Sequence, residues 1–208
     1  MIKFKTTGRI LLTSLLLGAA VAPAALAATW WDNAWTVRKP VVINTGGEGA
    51  AIAGPVGKAV MLVRLFDANF TFDTAQDNGA DIRFVAADGK TVLPHHIERW
   101  DRALNEALVW VQAPEIQPGG ATRFFLYSGN PAATPDTAGS KATYDADTAL
   151  VYHFSEASGP PADSSGGAVN ATTAGLPVSG ALIAGGTRLT GQNPVTIPAS
   201  RRLKSTAS

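Results

Sequence analysis

Asp81 to Gln112, DIRFVAADGKTVLPHHIERWDRALNEALVWVQ, reads as three strands joined by two turns. In the first strand Ile82, Phe84 and Ala86 fall on one face, with Asp81 and Arg83 on the other, the period-two alternation of a half-buried strand. Asp88-Gly89 then reverses the chain, since this pair tolerates the positive φ of a tight hairpin turn. The second strand is expected from Thr91 to about Trp100. Pro94 cannot donate a ladder hydrogen bond, which places this strand at an edge or puts a bulge near its start. After a polar turn over Asp101 to Asn105, Glu106 to Gln112 forms the third strand, and the whole stretch is a β-meander.

Register decides what the meander offers. With the second turn centred near Ala103, His96 lies opposite Trp110 and Glu98 opposite Leu108, and a slip of one residue would invert every face. One face collects Leu93, Ile97, Ala107, Val109 and Val111, which is core material. The other collects His96, Glu98, Trp100, Glu106, Trp110 and Gln112. Such a face suits a sugar, whose apolar C–H side stacks on an indole while its hydroxyls need donors and acceptors. The candidate ligand-binding residues are Trp110, Trp100, Glu98, Gln112 and His96. A second layer covering the same face would want the same two tryptophans, so both readings stand at this point.

Outward from the meander, the chain is all-β in pattern, and no internal segment has helical periodicity. Trp30-Trp31-Asp32-Asn33-Ala34-Trp35 precedes a strand over Thr36 to Asn44, and three tryptophans so close together are expected to pin the end of the domain to the sheet. Ala59 to Leu65, apolar on both faces, is expected to be a central strand. Phe70 and Phe72 share a face, and Ala121 to Ser128 is a strand that is again apolar on both sides. Residues 28–131 therefore read as an antiparallel, jelly-roll-like β-sandwich. Residues 132–146, rich in Ala, Thr, Pro, Gly and Asp, read as a linker. A strand is expected at Thr148 to Phe154. Residues 147–208 look like the first strands of an incomplete second β-sandwich, with too little apolar mass to close a core alone.

The chain opens with Lys3, Lys5 and Arg9, an apolar run, and Ala25-Leu26-Ala27, the layout of a secretory signal peptide cleaved after Ala27. The periplasm, the cell surface or secretion follows from it. The 208-residue sequence carries 17 basic and 16 acidic groups; without residues 1–27, 14 basic face 16 acidic groups, a net charge of −2 over 181 residues. That balance offers no basic groove for nucleic acid. The absence of cysteine excludes disulfides and thiol chemistry. No later run approaches the length of a membrane span.

WWDNAWTVRKPVVIN, DIRFVAADGKTVLPHHIERWD and LVWVQAPEIQPGGATRFFLYSGNPAA, in that order, resemble a bacterial and archaeal domain family of unknown function over about residues 30 to 131. Ser128 stands where a second aromatic is more usual in that pattern. LVYHFSEASGPPADSSGGAVNATT with GGTRLTGQNPVTIPAS resembles the opening of a laminin-G or concanavalin-like domain. The resemblance implies a surface or periplasmic module that binds a glycan or an envelope protein. A similar tandem also precedes proton-channel domains of the MotA/TolQ/ExbB type, which implies the alternative of an extracytoplasmic part of a transport complex. The terminal RRLKSTAS does not read as a natural stop, so the chain reads as a fragment of a longer protein.

Catalysis is not expected. His95 and His96 are adjacent strand residues and point to opposite faces, so they cannot share one metal ion. Asp163-Ser164-Ser165-Gly166 has oxygens for calcium, but it is first of all a turn. Glu98 and Glu106 are the one carboxylate pair resembling a glycosidase's, with no motif around them. The sequence thus points to a non-catalytic binding module without cofactor or metal.

Overall fold

The computed structural model describes residues 30–204, and the expected signal peptide with its cleavage site lies outside them. Seven strands form two facing antiparallel sheets: β1 (Val37–Asn44), β2 (Gly57–Phe66), β3 (Arg83–Ala86), β4 (Val92–Leu93), β5 (His95–Asp101), β6 (Glu106–Ile116) and β7 (Ala121–Ser128). One sheet has the order β1-β7-β3-β4 and the other β2-β6-β5. Phe84, Phe124, Leu126 and Leu93 from the first meet Ala107, Val109, Val111 and Leu65 from the second in one core, with Phe70, Phe72 and Ile82 closing it. The protein is an all-β sandwich.

The meander is divided between the two layers. β3 pairs with β4 in one sheet, and β5 pairs with β6 in the other. Pro94 is the corner between them, where a ladder donor would have no partner. Both β4 and β5 are edges, as a proline-bearing segment requires. Gly89 takes the positive φ of the expected hairpin turn (66°), and the Asp88 carboxylate accepts from the Lys90 and Thr91 N–H groups. The expected pinning of the leading end also holds. Trp35 donates its indole N–H to the Asp81 carbonyl, and Trp30 and Trp31 pack edge-on against the buried Tyr127.

Three strand expectations are corrected. β2 is an edge strand, and the centre of its sheet is β6, whose Ala107, Val109, Val111 and Ala113 are all fully buried. Apolar residues on both faces tell that a strand is covered, not which neighbours it has. Thr148 to Phe154 is not a strand; it contributes a single bridge, Tyr152 to Asp163. The Asp163 carboxylate instead accepts N–H groups from Val151, Ser165 and Val169, so this Asp/Ser/Gly segment is a side-chain-organised turn.

The third correction concerns the face of Trp100. A bulge between Ile97 and Arg99 shifts the pairing, so Arg99 rather than Glu98 stands opposite Leu108. Beyond the bulge the faces invert, and Trp100, expected beside Trp110, turns inward. There it packs against Phe70 and Phe72 at ring separations of 5.9 and 5.3 Å. Its indole N–H is buried without a hydrogen-bond partner among the described residues, as befits a side chain placed for its apolar bulk.

The segment expected as a linker, 132–146, contains a short helix, α1 (Thr137–Ala142), capped by Asp136, whose side chain accepts from the Gly139 N–H. It lies against β5. Farther on, β8 (Leu176–Ala181) and β9 (Ala184–Arg188) form a separate two-stranded sheet. Among the described residues no helix is long and apolar enough to cross a membrane.

Candidate functional site

The outward face of the β2-β6-β5 sheet is where the sequence placed its binding residues. Its alternation before the bulge is as expected: His96 pairs opposite Trp110, while His95 and Ile97 point to the core side. His95 is buried against the Phe84 ring, and burial pushes its pKa down to about 4. The two adjacent histidines therefore separate, one in and one out, as strand geometry dictates.

His96, Glu98, Trp110 and Gln112 do share the outward face, but each is only partly exposed. Residues 133–153 fold back over them as a strap. The Gln76 side chain donates to the carbonyls of Asn130 and Ala133, and Arg83 donates to that of Thr134, which fixes the start of the strap. Ser140 Oγ then lies 2.9 Å from His96 Nδ1, and the Gln112 amide reaches the Thr143 carbonyl at 3.4 Å. Finally His153 comes down over the sheet. Its Nδ1 contacts Glu98 Oε2, its Nε2 lies 3.2 Å from the Tyr144 hydroxyl, and its ring lies 4.6 Å from that of His96.

Glu98 is the junction of this network. Its side chain is 3% exposed and that of His153 7%. Trp110 donates its indole N–H to the same carboxylate at 3.0 Å. Burial alone would raise the Glu98 pKa, but the hydrogen bond and charge of His153, followed by the Trp110 N–H, outweigh it and hold the carboxyl below its ordinary value. Burial, and then the charge of His153, lower the pKa of His96. The Tyr144 hydroxyl is raised, by burial first and by Glu98 second. Glu106, at the far end of β6, engages Arg64 and Arg99. It shares no partner with Glu98.

The strap leaves a cleft where α1 meets β5. This cleft has a volume of about 360 Å³. Ile97, Pro135 and Gly79 give it apolar walls, and His96, Asp136, Ser140 and Lys141 bring polar groups to it. A second, smaller pocket of about 140 Å³ lies above Trp110, between Glu98, His153, Tyr152 and the β9 residue Gly185.

Of the five residues selected from sequence, His96, Glu98, Trp110 and Gln112 come together and Trp100 does not. Sequence reading missed Ser140, Tyr144 and His153. Ser140 lies 44 residues from His96 and His153 lies 55 from Glu98, while Tyr144 joins the site through His153, and no local signal reports contacts between segments so far apart.

Residues 78–170 match the family model of a domain of unknown function, DUF2341. The matched span runs from the loop before β3 through the strap to the turn after Asp163, and so includes His96, Glu98, Trp110, Gln112, Ser140, Tyr144 and His153. No curated protein and no solved structure matches the chain.

Proposed function

We propose that this chain is an exported, non-catalytic binding module whose ligand, a carbohydrate or another polar envelope component, occupies the cleft between β5 and α1. The observation that carries this reading is the cleft itself. At about 360 Å³ it falls within the range of small-molecule sites, roughly 300 to 1,000 Å³. It also has their composition, mostly apolar walls with a few convergent polar groups. His96 belongs to it, whereas Trp110, Glu98 and Gln112 act from beneath the strap by holding its roof in place. The non-catalytic reading is supported by the commitments of the two glutamates, each tied to a different set of partners.

The test is a panel of soluble glycans against the mature chain, with Thr137→Trp as the blocking variant. Thr137 lines the cleft from an exposed position and makes no side-chain hydrogen bond in the network, so the substitution fills the space without loosening the strap. Binding by the wild type that Thr137→Trp abolishes supports the reading. Absence of binding across the panel, or binding that survives the block, overturns it.

The alternative setting, an extracytoplasmic part of a MotA/TolQ/ExbB-type transport complex, rests on the resemblance of the ordered sequence blocks alone. Its test is co-purification of the native protein with a membrane complex that contains such a channel subunit. Recovery only as a free exported protein excludes it.

A further inference from the structure

Whatever fills the cleft, the side chains under the strap form a second constellation. We propose that His96, Glu98 and His153 are a three-ligand site for a divalent transition-metal ion of the zinc class, which clasps the strap to the sheet. Each of the three offers one donor atom, and these atoms lie within 4.8 Å of one another. Zinc donors sit about 2.0 to 2.2 Å from the ion, so tetrahedral neighbours are separated by about 3.4 Å, and closing the site takes side-chain movements of about an ångström. Two imidazoles and one carboxylate are the donor set that suits Zn²⁺ and its borderline neighbours rather than calcium or magnesium, which take oxygen donors.

The surroundings of the three donors argue for a metal over a simple ion pair. A metal-binding histidine needs one ring nitrogen free and the other held by an outer partner that fixes the ring and its tautomer. Both histidines meet this condition from opposite ends. His96 Nδ1 is held by the Ser140 hydroxyl, leaving Nε2, and His153 Nε2 is held by the Tyr144 hydroxyl, leaving Nδ1. Glu98 is oriented in turn by the Trp110 indole N–H, and its side chain and that of His153 are almost wholly buried. A plain His–Glu pair would explain His153 but not the second imidazole, tilted by 35° with its centroid 4.6 Å away, which an ion bound by ring-edge nitrogens of both does explain. Bound here, the metal takes the place of the proton between His153 and Glu98. Three protein ligands leave a fourth position, and the pocket of about 140 Å³ lined by Glu98, His153 and Trp110 gives a water molecule room to fill it.

The experiment uses the mature chain without a polyhistidine tag, stripped with a chelator and titrated with Zn²⁺ alone by calorimetry, and with Co²⁺ for its visible ligand-field bands. The wild type should bind one equivalent of Zn²⁺ and give the intense bands of four- or five-coordinate Co²⁺. His153→Ala should lose both signals. Because that variant also loosens the strap, Tyr144→Phe is the second test: it keeps the ring in place and removes only the outer hydroxyl, and it should weaken Zn²⁺ by about 10- to 100-fold. Zn²⁺ should also slow proteolysis within residues 133–153 of the wild type and not of His153→Ala. A wild type that takes up no stoichiometric Zn²⁺, or a His153→Ala variant that binds it equally well, overturns the proposal. The two proposals fail separately, because metal uptake is read here and glycan binding on the panel, although His96 borders both sites.

Discussion

Replacing Trp110 by alanine separates an indole held under the strap from one offered to a ligand. The substitution removes the hydrogen bond from the indole N–H to Glu98 Oε2. A bond to a charged acceptor contributes about 1.5 to 3 kcal/mol. It also removes the burial of a half-covered ring. Roughly 100 Å² at about 25 cal/mol per Å² is another ~2.5 kcal/mol. Part of this returns, because the pocket beside the ring admits water to the carboxylate that the indole leaves. The expected net loss is about 3 kcal/mol, and for a unit of this size that lowers Tm by about 10 °C. The assay is thermal and urea unfolding at neutral pH, followed by circular dichroism, together with the rate of proteolytic cleavage within residues 133–153, which should rise. A Tm within about 2 °C of wild type would refute the reasoning, since a partly buried indole bonded to a buried carboxylate cannot be deleted at so small a cost.

Three further outcomes are expected. Gly79→Ala should cost about 2 to 3 kcal/mol, because Gly79 has φ of +68° and an added Cβ would stand 2.5 Å from the Trp100 ring; urea unfolding of Gly79→Ala, Trp100→Ala and the double variant should show a coupling between them, and strict additivity would mean that Trp100 does not face inward. Asp81→Asn should cost about 2 to 4 kcal/mol by the same assay, because the buried carboxylate accepts N–H groups from Gln76, Gly129 and Asn130, and an amide turns a donor toward at least one of them; a loss under ~0.5 kcal/mol would remove Asp81 from the list of structural anchors. For Asp163, burial opposes ionisation, but hydrogen bonds from Val169, Val151 and Ser165 prevail and lower its pKa. Its contribution is therefore present above the ordinary carboxylate pKa, near 3.9, and is lost as pH falls through the lower folded value. Hydrogen exchange at Val151, Ser165 and Val169, corrected for intrinsic rates, should report opening of the turn below about pH 4, and the Asp163→Asn variant should show no such transition.

Alternation alone determined much of the sandwich. Ile82 and Phe84 in β3, and Ala107, Val109 and Val111 in β6, are inward because period-two spacing leaves them no other face once one side is buried. Asp88-Gly89 set the hairpin, and Pro94 marked an edge, because one lacks the barrier to positive φ and the other lacks a donor. Those are constraints that a residue carries with it. Whether Pro94 stood at a bulge or at the corner between two sheets depended on which strands were available to pair, and that is a property of the assembled layers. The bulge between Ile97 and Arg99 belongs to the same class. No local preference announces it; Trp100 fills the space beside Phe70, Phe72 and Gly79, and one extra residue in β5 is what turns it there. His153 is the extreme case. It lies 55 residues from Glu98, in a segment whose pattern reads as a strand but which pairs only through one bridge, and it meets a buried carboxylate because the strap crosses the sheet at that point. Sequence patterns encode the face a side chain takes within its own element, through short-range sterics. Contacts between distant segments are chosen by the burial and hydrogen bonding of the whole chain, and in this protein they decided that the mixed face is covered rather than open.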